Sequence, residues 1–321
     1  MRWLVVGLAV VAVAQFAIPD APQVGNFRSV QGRGAYVEAY EQVLNQLPPP
    51  SKTVGVATRF GTVRVYEWSP AGPEVGPPVV LLPGRTSGAP MWRDNLEELI
   101  GTRKVVALDA LGDAGFSEQA VPIRDMADQA AWVDDVLNTI SPDEGVHLVG
   151  HSFGGATAAA YARAHPDRLA SLTLLEPVFT LGSPPLSIYL WSSLILLPTP
   201  QSWRDEAMRR IGGTDDDPAS QDQDDPLARM IDVGAREYSA KLPTPTVLDS
   251  RQLGELSMPV YVGIAATSSL AGGLDAAETA RENLPDATVK VWPHTTHSLP
   301  MQVPTELAET LTDFWDAATQ P

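Results

Sequence analysis

Short runs of consecutive apolar residues recur along most of the chain, and amphipathic stretches separate them. A run with no polar position is typical of a strand buried on both faces of a sheet. The stretches between the runs repeat their apolar residues at helical spacing, as Met126, Ala130, Val133 and Leu137 do. Strands that alternate with helices predict an α/β fold, a mostly parallel sheet with helices on both faces. The predicted buried strands are Val79–Leu82, Val105–Leu108, Val146–Val149, Ser171–Leu175, Val260–Ile264 and Val289–Trp292.

Further elements are predicted on either side of these strands. Val54–Ala57 and Val63–Trp68 form a hairpin around Gly61. A capping box, Asp275-Ala-Ala-Glu278, predicts the start of a helix before the last strand. Helical spacing also predicts a helix that three prolines end at residues 48–50 and a helix that closes the chain. The apolar positions of these two helices are Tyr36, Ala39, Tyr40, Val43 and Leu47, and Leu307, Leu311, Phe314 and Trp315.

Residues 178–255 interrupt the alternation and are too long for a simple crossover. Leu186 to Leu197 is apolar nearly all round, as in a helix buried on two sides, whereas Trp203–Ile211 and Pro226–Tyr238 are amphipathic. We therefore predict an inserted helical domain at 178–255, a core formed by 51–177 and 256–321, and a leader segment with a helix at 19–50.

Composition excludes several classes of function. The 321 residues carry 22 Lys and Arg against 39 Asp and Glu, a formal charge of −17, which disfavours nucleic acid and anionic membrane surfaces as partners. The absence of cysteine excludes disulfides, thiolate catalysis and cysteine zinc sites. The acidic run Asp215–Asp225 lacks the glycine and terminal glutamate of an EF-hand, so we expect a solvated loop. No cofactor and no metal are predicted.

The first 18 residues predict a signal peptide or an N-terminal membrane anchor. Arg2 precedes the apolar run Trp3–Ala14, and Ala12-Val13-Ala14 resembles a cleavage site for export. The apolar character continues through Phe16 to Ile18, which leaves an uncleaved anchor open, although a span needs about 20 residues. Either alternative predicts an extracytoplasmic body that contacts a membrane only through this segment.

Candidate chemistry centres on residues 150–154, Gly-His-Ser-Phe-Gly, which lie between a buried strand and an Ala-rich helix. This is the G-x-S-x-G context in which a serine occupies the apex of a sharp strand-to-helix turn. Gly150 and Gly154 allow the strand and helix to approach closely. The N–H of Phe153 opens the helix, where a developing negative charge is favoured. Ser152 is therefore the candidate nucleophile.

With this motif, the chain resembles a serine-nucleophile α/β-hydrolase over residues 52–317. The resemblance implies an α/β-hydrolase fold in which 178–255 is a helical cap. It also implies a catalytic base after the last strand, where two histidines are available. His297 is preferred, because the segment 296–300 and Pro304 are similar to the family's segment before the terminal helix, and His294 is the alternative.

The acid departs from the usual family pattern. Members commonly carry Asp or Glu just after strand seven, but residues 264–268 contain no carboxylate. Some members carry the acid after strand six, where this chain has Glu176, and Asp275 is the runner-up. The resemblance also implies two oxyanion donors, the N–H of Phe153 and that of Arg85, since Pro83-Gly84-Arg85 replaces the family's His-Gly-x.

These residues predict hydrolysis of a carboxylic ester through an acyl-enzyme on Ser152, with the apolar cap favouring a medium-sized apolar substrate. A serine nucleophile disfavours epoxide hydrolase and haloalkane dehalogenase chemistry, because the intermediate would be an ether without a carbonyl. Cofactor-free perhydrolase, C–C hydrolase, amidase and thioesterase activities remain open on the same triad. A non-catalytic binding protein on a hydrolase scaffold is the alternative from another class. The sequence leaves the oligomeric state open.

Overall fold

A computed structural model describes residues 23–101, 103–184, 202–203, 206, 225–267 and 269–319. Its strands are β1 (Asn26–Phe27), β2 (Lys52–Thr58), β3 (Gly61–Trp68), β4 (Val79–Leu82), β5 (Val105–Leu108), β6 (Glu118–Gln119), β7 (Val146–His151), β8 (Leu169–Leu175), β9 (Tyr238–Ser239), β10 (Val260–Ala265) and β11 (Ala287–Trp292). Its helices are α1 (Val30–Leu44), α2 (Arg93–Ile100), α3 (Met126–Ile140), α4 (Phe153–Ala164), α5 (Pro226–Glu237), α6 (Ser250–Gly254), α7 (Gly273–Asn283), α8 (Leu299–Gln302) and α9 (Pro304–Ala318).

One large sheet organises the described residues. Its strands follow the order β11-β10-β8-β7-β4-β5-β3-β2, and β6 pairs with β3. All neighbours from β11 to β5 are parallel, whereas β3 is antiparallel to both β5 and β2. The predicted α/β fold with a mostly parallel sheet is therefore confirmed, as is the hairpin of β2 and β3.

Two hydrophobic cores cover the two faces of the sheet. Successive residues of β4 alternate between them: Val80 and Leu82 pack with α3 and α4, whereas Val79 and Leu81 pack with α1, α2 and α9. This alternation follows from the two-residue period of a strand. It explains why β4 and β5 are apolar at every position.

The leader helix α1 is part of the folded body. The side chain of Ser29 caps it by accepting a hydrogen bond from the Gly32 N–H (2.9 Å), and the helix packs along α5. The chain just before α1 forms a two-stranded antiparallel sheet with the chain just after α5, through β1 and β9. The sequence did not predict this small sheet, because each strand has only two residues.

One predicted helix start is wrong. Helix α7 begins at Gly273 with Gly272 as its N-cap, and no side chain caps it. The two glycines have left-handed backbones (φ 107° and 62°), which allows the helix to begin before the predicted capping box. Asp275 lies within the first turn, exposed to solvent near the positive end of the helix dipole.

Several predicted features lie outside the described residues. They are the segment 1–18, the apolar helix Leu186–Leu197, most of the helix Trp203–Ile211 and nearly all of the acidic run 215–225. Within the described parts of the chain, no helix combines the length and the apolar character that crossing a bilayer requires.

Candidate active site

The backbone at Ser152 is strained. Ser152 lies between β7 and α4 with φ 57° and ψ −119°, a conformation that costs a residue with a side chain on the order of 1–3 kcal/mol. Its N–H donates a hydrogen bond to the carbonyl of Leu175 in the next strand (3.0 Å). A Cβ at Gly154 would lie 2.5 Å from the carbonyl oxygens of Leu82 and Pro83. The tight turn therefore needs glycine at this position and holds the hydroxyl above the strand ends.

His297 lies beside the serine. Its Nε2 is 2.9 Å from the Ser152 Oγ, and its Nδ1 is 3.1 Å from a carboxylate oxygen of Glu176. The alternative base, His294, occupies an exposed turn after β11 with φ 59°. The structure thus brings Ser152, His297 and Glu176 together and leaves His294 in solvent.

Glu176 is fully buried directly after β8 and also has a left-handed backbone (φ 48°). Burial raises the pKa of its carboxyl group, but hydrogen bonds from His297, the Ala265 N–H and the Ser269 hydroxyl outweigh that effect. The net result is a pKa below the usual range. Glu176 is therefore a carboxylate at neutral pH, able to orient the imidazole and to stabilise its protonated form.

The last residue of β10 and the loop after it supply the donors that hold Glu176. The carboxylate accepts hydrogen bonds from the N–H groups of Ala265 (2.7 Å) and Leu270 (2.9 Å) and from the hydroxyl of Ser269 (2.9 Å). Sequence reasoning noted that this loop lacks a carboxylate but missed Ser269. Its hydroxyl reaches Glu176 across 93 positions of the chain, a contact that no local pattern records.

The loop after β4 lies directly against Ser152. A Cβ at Gly84 would be 3.4 Å from the Cβ of Ser152. The Gly84 N–H approaches the sulfur of Met91 (3.2 Å), and the Thr86 N–H donates to a carboxylate oxygen of Asp113 (3.0 Å). The N–H of Arg85, between them, has no partner among the described residues, so it remains available for a ligand.

The second predicted oxyanion donor is likewise available. The N–H of Phe153 is the first of α4 and has no partner within the described chain, as expected for the first turn of a helix. The geometry is consistent with the predicted pair of donors, whose function stays a prediction.

A buried carboxylate braces this loop. Asp109 is fully buried and accepts hydrogen bonds from the Ala89 N–H (2.8 Å), the Phe116 N–H (2.7 Å) and the hydroxyl of Tyr40 in α1 (2.8 Å). Burial raises its pKa, and the hydrogen bonds oppose that rise. Nothing in the sequence indicated that the leader helix contributes Tyr40 to this cluster.

His151, next to the candidate nucleophile, contacts the backbone of His297. Its Nε2 lies 2.9 Å from the carbonyl oxygen of His297, and the two rings lie 5.0 Å apart between centroids. Because a carbonyl only accepts, the Nε2 carries the proton. Burial, together with the nearby His297, lowers the pKa of His151 to about 3. His151 is therefore a neutral donor that holds the His297 backbone in place, a role the sequence did not reveal.

The site contains the groups that acyl transfer requires. They are a hydroxyl, an imidazole and a carboxylate in one hydrogen-bonded chain, beside two free backbone N–H groups. Among the residues that the structure describes, no group of three or more imidazole or carboxylate side chains is placed to hold a metal ion.

Comparison with known proteins agrees with this fold. The family model described as alpha/beta hydrolase fold matches residues 77–245. Carboxylesterase YbfK of Bacillus subtilis is 28% identical over 151 residues, which are 47% of this chain and 50% of that protein. The uncharacterized carboxylesterase nap of the same organism is 30% identical over 145 residues, 45% and 47% of the two chains. The chain therefore spans about half the length of the curated relatives it matches.

Solved structures match over a larger share of the chain. The crystal structure of carboxylesterase CesB (YbfK) from Bacillus subtilis superposes with a TM-score of 0.78 at 23% identity, covering 89% of this chain and 98% of that one. Naproxen esterase from Bacillus subtilis also gives a TM-score of 0.78, at 22% identity and 90% and 99% coverage. At these identities the likeness is one of fold.

Proposed function

Because this chain belongs to the α/β-hydrolase fold family, we propose that it is a serine hydrolase that cleaves carboxylic esters through an acyl-enzyme on Ser152. One observation carries the proposal: the hydrogen-bonded chain from the Ser152 hydroxyl through His297 to the buried Glu176. The carboxylesterase names of the two Bacillus relatives support ester bonds as the target.

In the first half of the reaction, the Ser152 oxygen attacks the ester carbonyl and its proton passes to the Nε2 of His297. Glu176, already hydrogen-bonded to the Nδ1, stabilises the imidazolium that forms. The imidazolium then gives its proton to the leaving alcohol, and the acyl group remains on Ser152.

In the second half, His297 takes a proton from water as the water oxygen attacks the carbonyl of the acyl-enzyme. The bond between the acyl group and Ser152 then breaks, the imidazolium returns its proton to the serine oxygen, and the acid is released. Both halves place negative charge on the former carbonyl oxygen. The N–H groups of Phe153 and Arg85 receive that oxygen, and one such donor lowers the barrier by about 3–4 kcal/mol.

The test combines covalent labelling with turnover. Purified protein is treated with a fluorophosphonate probe, and the hydrolysis of a panel of p-nitrophenyl esters is measured in parallel. Ser152→Ala is expected to abolish labelling and to lower kcat by several orders of magnitude, because the attacking oxygen is lost. Ser51→Ala is the matched control, since Ser51 is an exposed serine at the hairpin.

The outcomes separate the alternatives. Suppose that the probe labels Ser152 but no ester is hydrolysed. If the protein then hydrolyses an amide, a thioester or a C–C bond, or forms a peracid, Ser152 remains the nucleophile and only the proposed reaction changes. No Ser152-dependent labelling and no turnover would favour a binding protein.

A further inference from the structure

A second feature of Arg85 bears on the substrate, and it rests on the proposed function. Whereas the amide of Arg85 is a predicted oxyanion donor, its guanidinium carbon lies 5.4 Å from the centre of the ring of Phe153, the residue after the proposed nucleophile. A positive charge over an aromatic face is attracted to the ring. The side chain is thus held beside the nucleophile rather than extended into solvent.

Asp113 fixes the other edge of the guanidinium. Its carboxylate is 3% exposed and accepts a hydrogen bond from the Nε of Arg85 (2.8 Å). The same carboxylate also accepts the N–H groups of Thr86 and Ala114. The backbone of the loop after β4 (through Thr86) and the backbone of the loop after β5 (through Ala114) therefore hold Asp113 in place, and Asp113 in turn anchors the arginine.

The outer edge of the guanidinium remains free. Neither terminal nitrogen of Arg85 has a hydrogen-bond partner among the described residues, and the side chain is 41% exposed. Two terminal NH₂ groups form a planar fork that matches the two oxygens of a carboxylate. A cation held in place with an empty fork, next to the nucleophile, is a preorganised site for an anion.

The charge balance favours a carboxylate over a phosphate. Asp113 already compensates part of the single positive charge, and the chain has a formal charge of −17. A carboxylate carries one negative charge, which the guanidinium of Arg85 alone can match. A phosphate carries about two, and the net negative charge of the chain would repel it more strongly. We infer that the terminal nitrogens of Arg85 bind a carboxylate of the substrate, so that esters bearing a second, anionic carboxyl group are preferred over their neutral isosteres.

The experiment compares matched substrate pairs. The first pair is mono-p-nitrophenyl adipate and p-nitrophenyl hexanoate, which differ by a carboxylate at the end of the acyl chain. The second is the hexanoate esters of 4-hydroxybenzoate and of phenol, which place the carboxylate on the alcohol side. The readout is the kcat/KM of the anionic ester divided by the kcat/KM of its neutral partner. For at least one pair, Arg85→Gln is expected to lower this ratio about tenfold, since a charged hydrogen bond is lost.

Two variants and one condition serve as controls. Arg85→Lys keeps the charge but not the fork, so an intermediate ratio is expected. Arg59→Gln makes the same substitution at an exposed arginine that pairs with Asp135 on α3 and should leave the ratio unchanged. Added salt should lower the ratio in the wild type and have a smaller effect in Arg85→Gln, because the site is partly exposed.

The ratio separates this inference from the proposed function. If the neutral esters are hydrolysed in a Ser152-dependent manner but Arg85→Gln leaves both ratios unchanged, the carboxylate site is refuted and the esterase stands. If none of the four esters is hydrolysed, the proposed esterase function itself fails, and the inference fails with it.

Discussion

Glu176 is ionised although solvent does not reach it. Three donors from the end of β10 and the loop after it, together with His297, replace the water that a carboxylate needs. Its backbone is left-handed, and such strain persists only where the surroundings fix it. At the scale of one residue, the site therefore depends on hydrogen bonds from outside the proposed triad.

The Glu176→Gln variant tests this residue. An amide neither stabilises the imidazolium nor accepts from all of these donors, so kcat for a p-nitrophenyl ester should fall about 10³–10⁴-fold. Asp275→Asn, at an exposed site on α7, should leave kcat unchanged. Circular dichroism melting shows whether the variants remain folded. A loss of turnover in Asp275→Asn alone would assign the acid to Asp275.

Sequence identified those site residues that have a local signature. Ser152 lies between Gly150 and Gly154. Glu176 directly follows a mostly apolar strand, and His297 lies between the last strand and a helix that begins at Pro304. Ser269 and the His151 imidazole touch the site through contacts between residues far apart in the chain. No local pattern records such contacts, so only the folded structure reveals them.

Helix α1 connects three parts of the molecule. Tyr40 donates its hydroxyl to Asp109, which holds the loop after β4, and Tyr36 packs against Gly234 of α5. The sequence predicted α1 from its spacing but called it a leader, because nothing in its own residues shows what it packs against. At the scale of elements, α1 stabilises the loop that carries the predicted oxyanion donor.

Two tyrosine substitutions on α1 provide a matched test. Tyr40→Phe removes a donor to the buried Asp109 and should lower the free energy of unfolding by about 1–3 kcal/mol. Tyr36 is equally buried, but its hydroxyl has no partner among the described residues, so Tyr36→Phe should be neutral or stabilising. Urea unfolding measures both. Equal losses in the two variants would contradict the proposed role of the Tyr40 hydroxyl.

Two buried histidines make the stability of the whole molecule sensitive to pH. Burial, with the nearby Arg103, lowers the pKa of His147 to about 3, and His151 has a pKa of about 3 as well. An unfolded chain protonates histidine near pH 6.5. Between these pH values the unfolded state binds protons that the native state does not, so the free energy of unfolding falls as the pH falls.

Each of these histidines should reduce the free energy of unfolding by about 1.4 kcal/mol per pH unit below pH 6.5. His147→Gln should therefore flatten the dependence by about that slope in urea titrations between pH 6 and pH 5. The slope is the readout, because losing the contact between His147 and Ser171 (2.8 Å) also lowers the absolute stability. An unchanged slope would show that His147 does not contribute.

Much of the architecture was predictable because the central strands pack against both cores and are largely apolar. The strand order was not, since pairing depends on contacts between distant segments. The two-stranded sheet of β1 and β9 and the glycine-initiated start of α7 also escaped prediction, because very short strands and left-handed glycines leave no periodic signal.

The order of the site residues along the chain has a practical consequence. Ser152 and Glu176 follow the adjacent strands β7 and β8, on one side of residues 185–224 in the chain, and His297 lies on the other side. A polypeptide divided within that interval leaves Ser152 and Glu176 on one fragment and His297 on the other. Neither fragment alone holds the full set, so recovered turnover would directly report reassembly of the two halves.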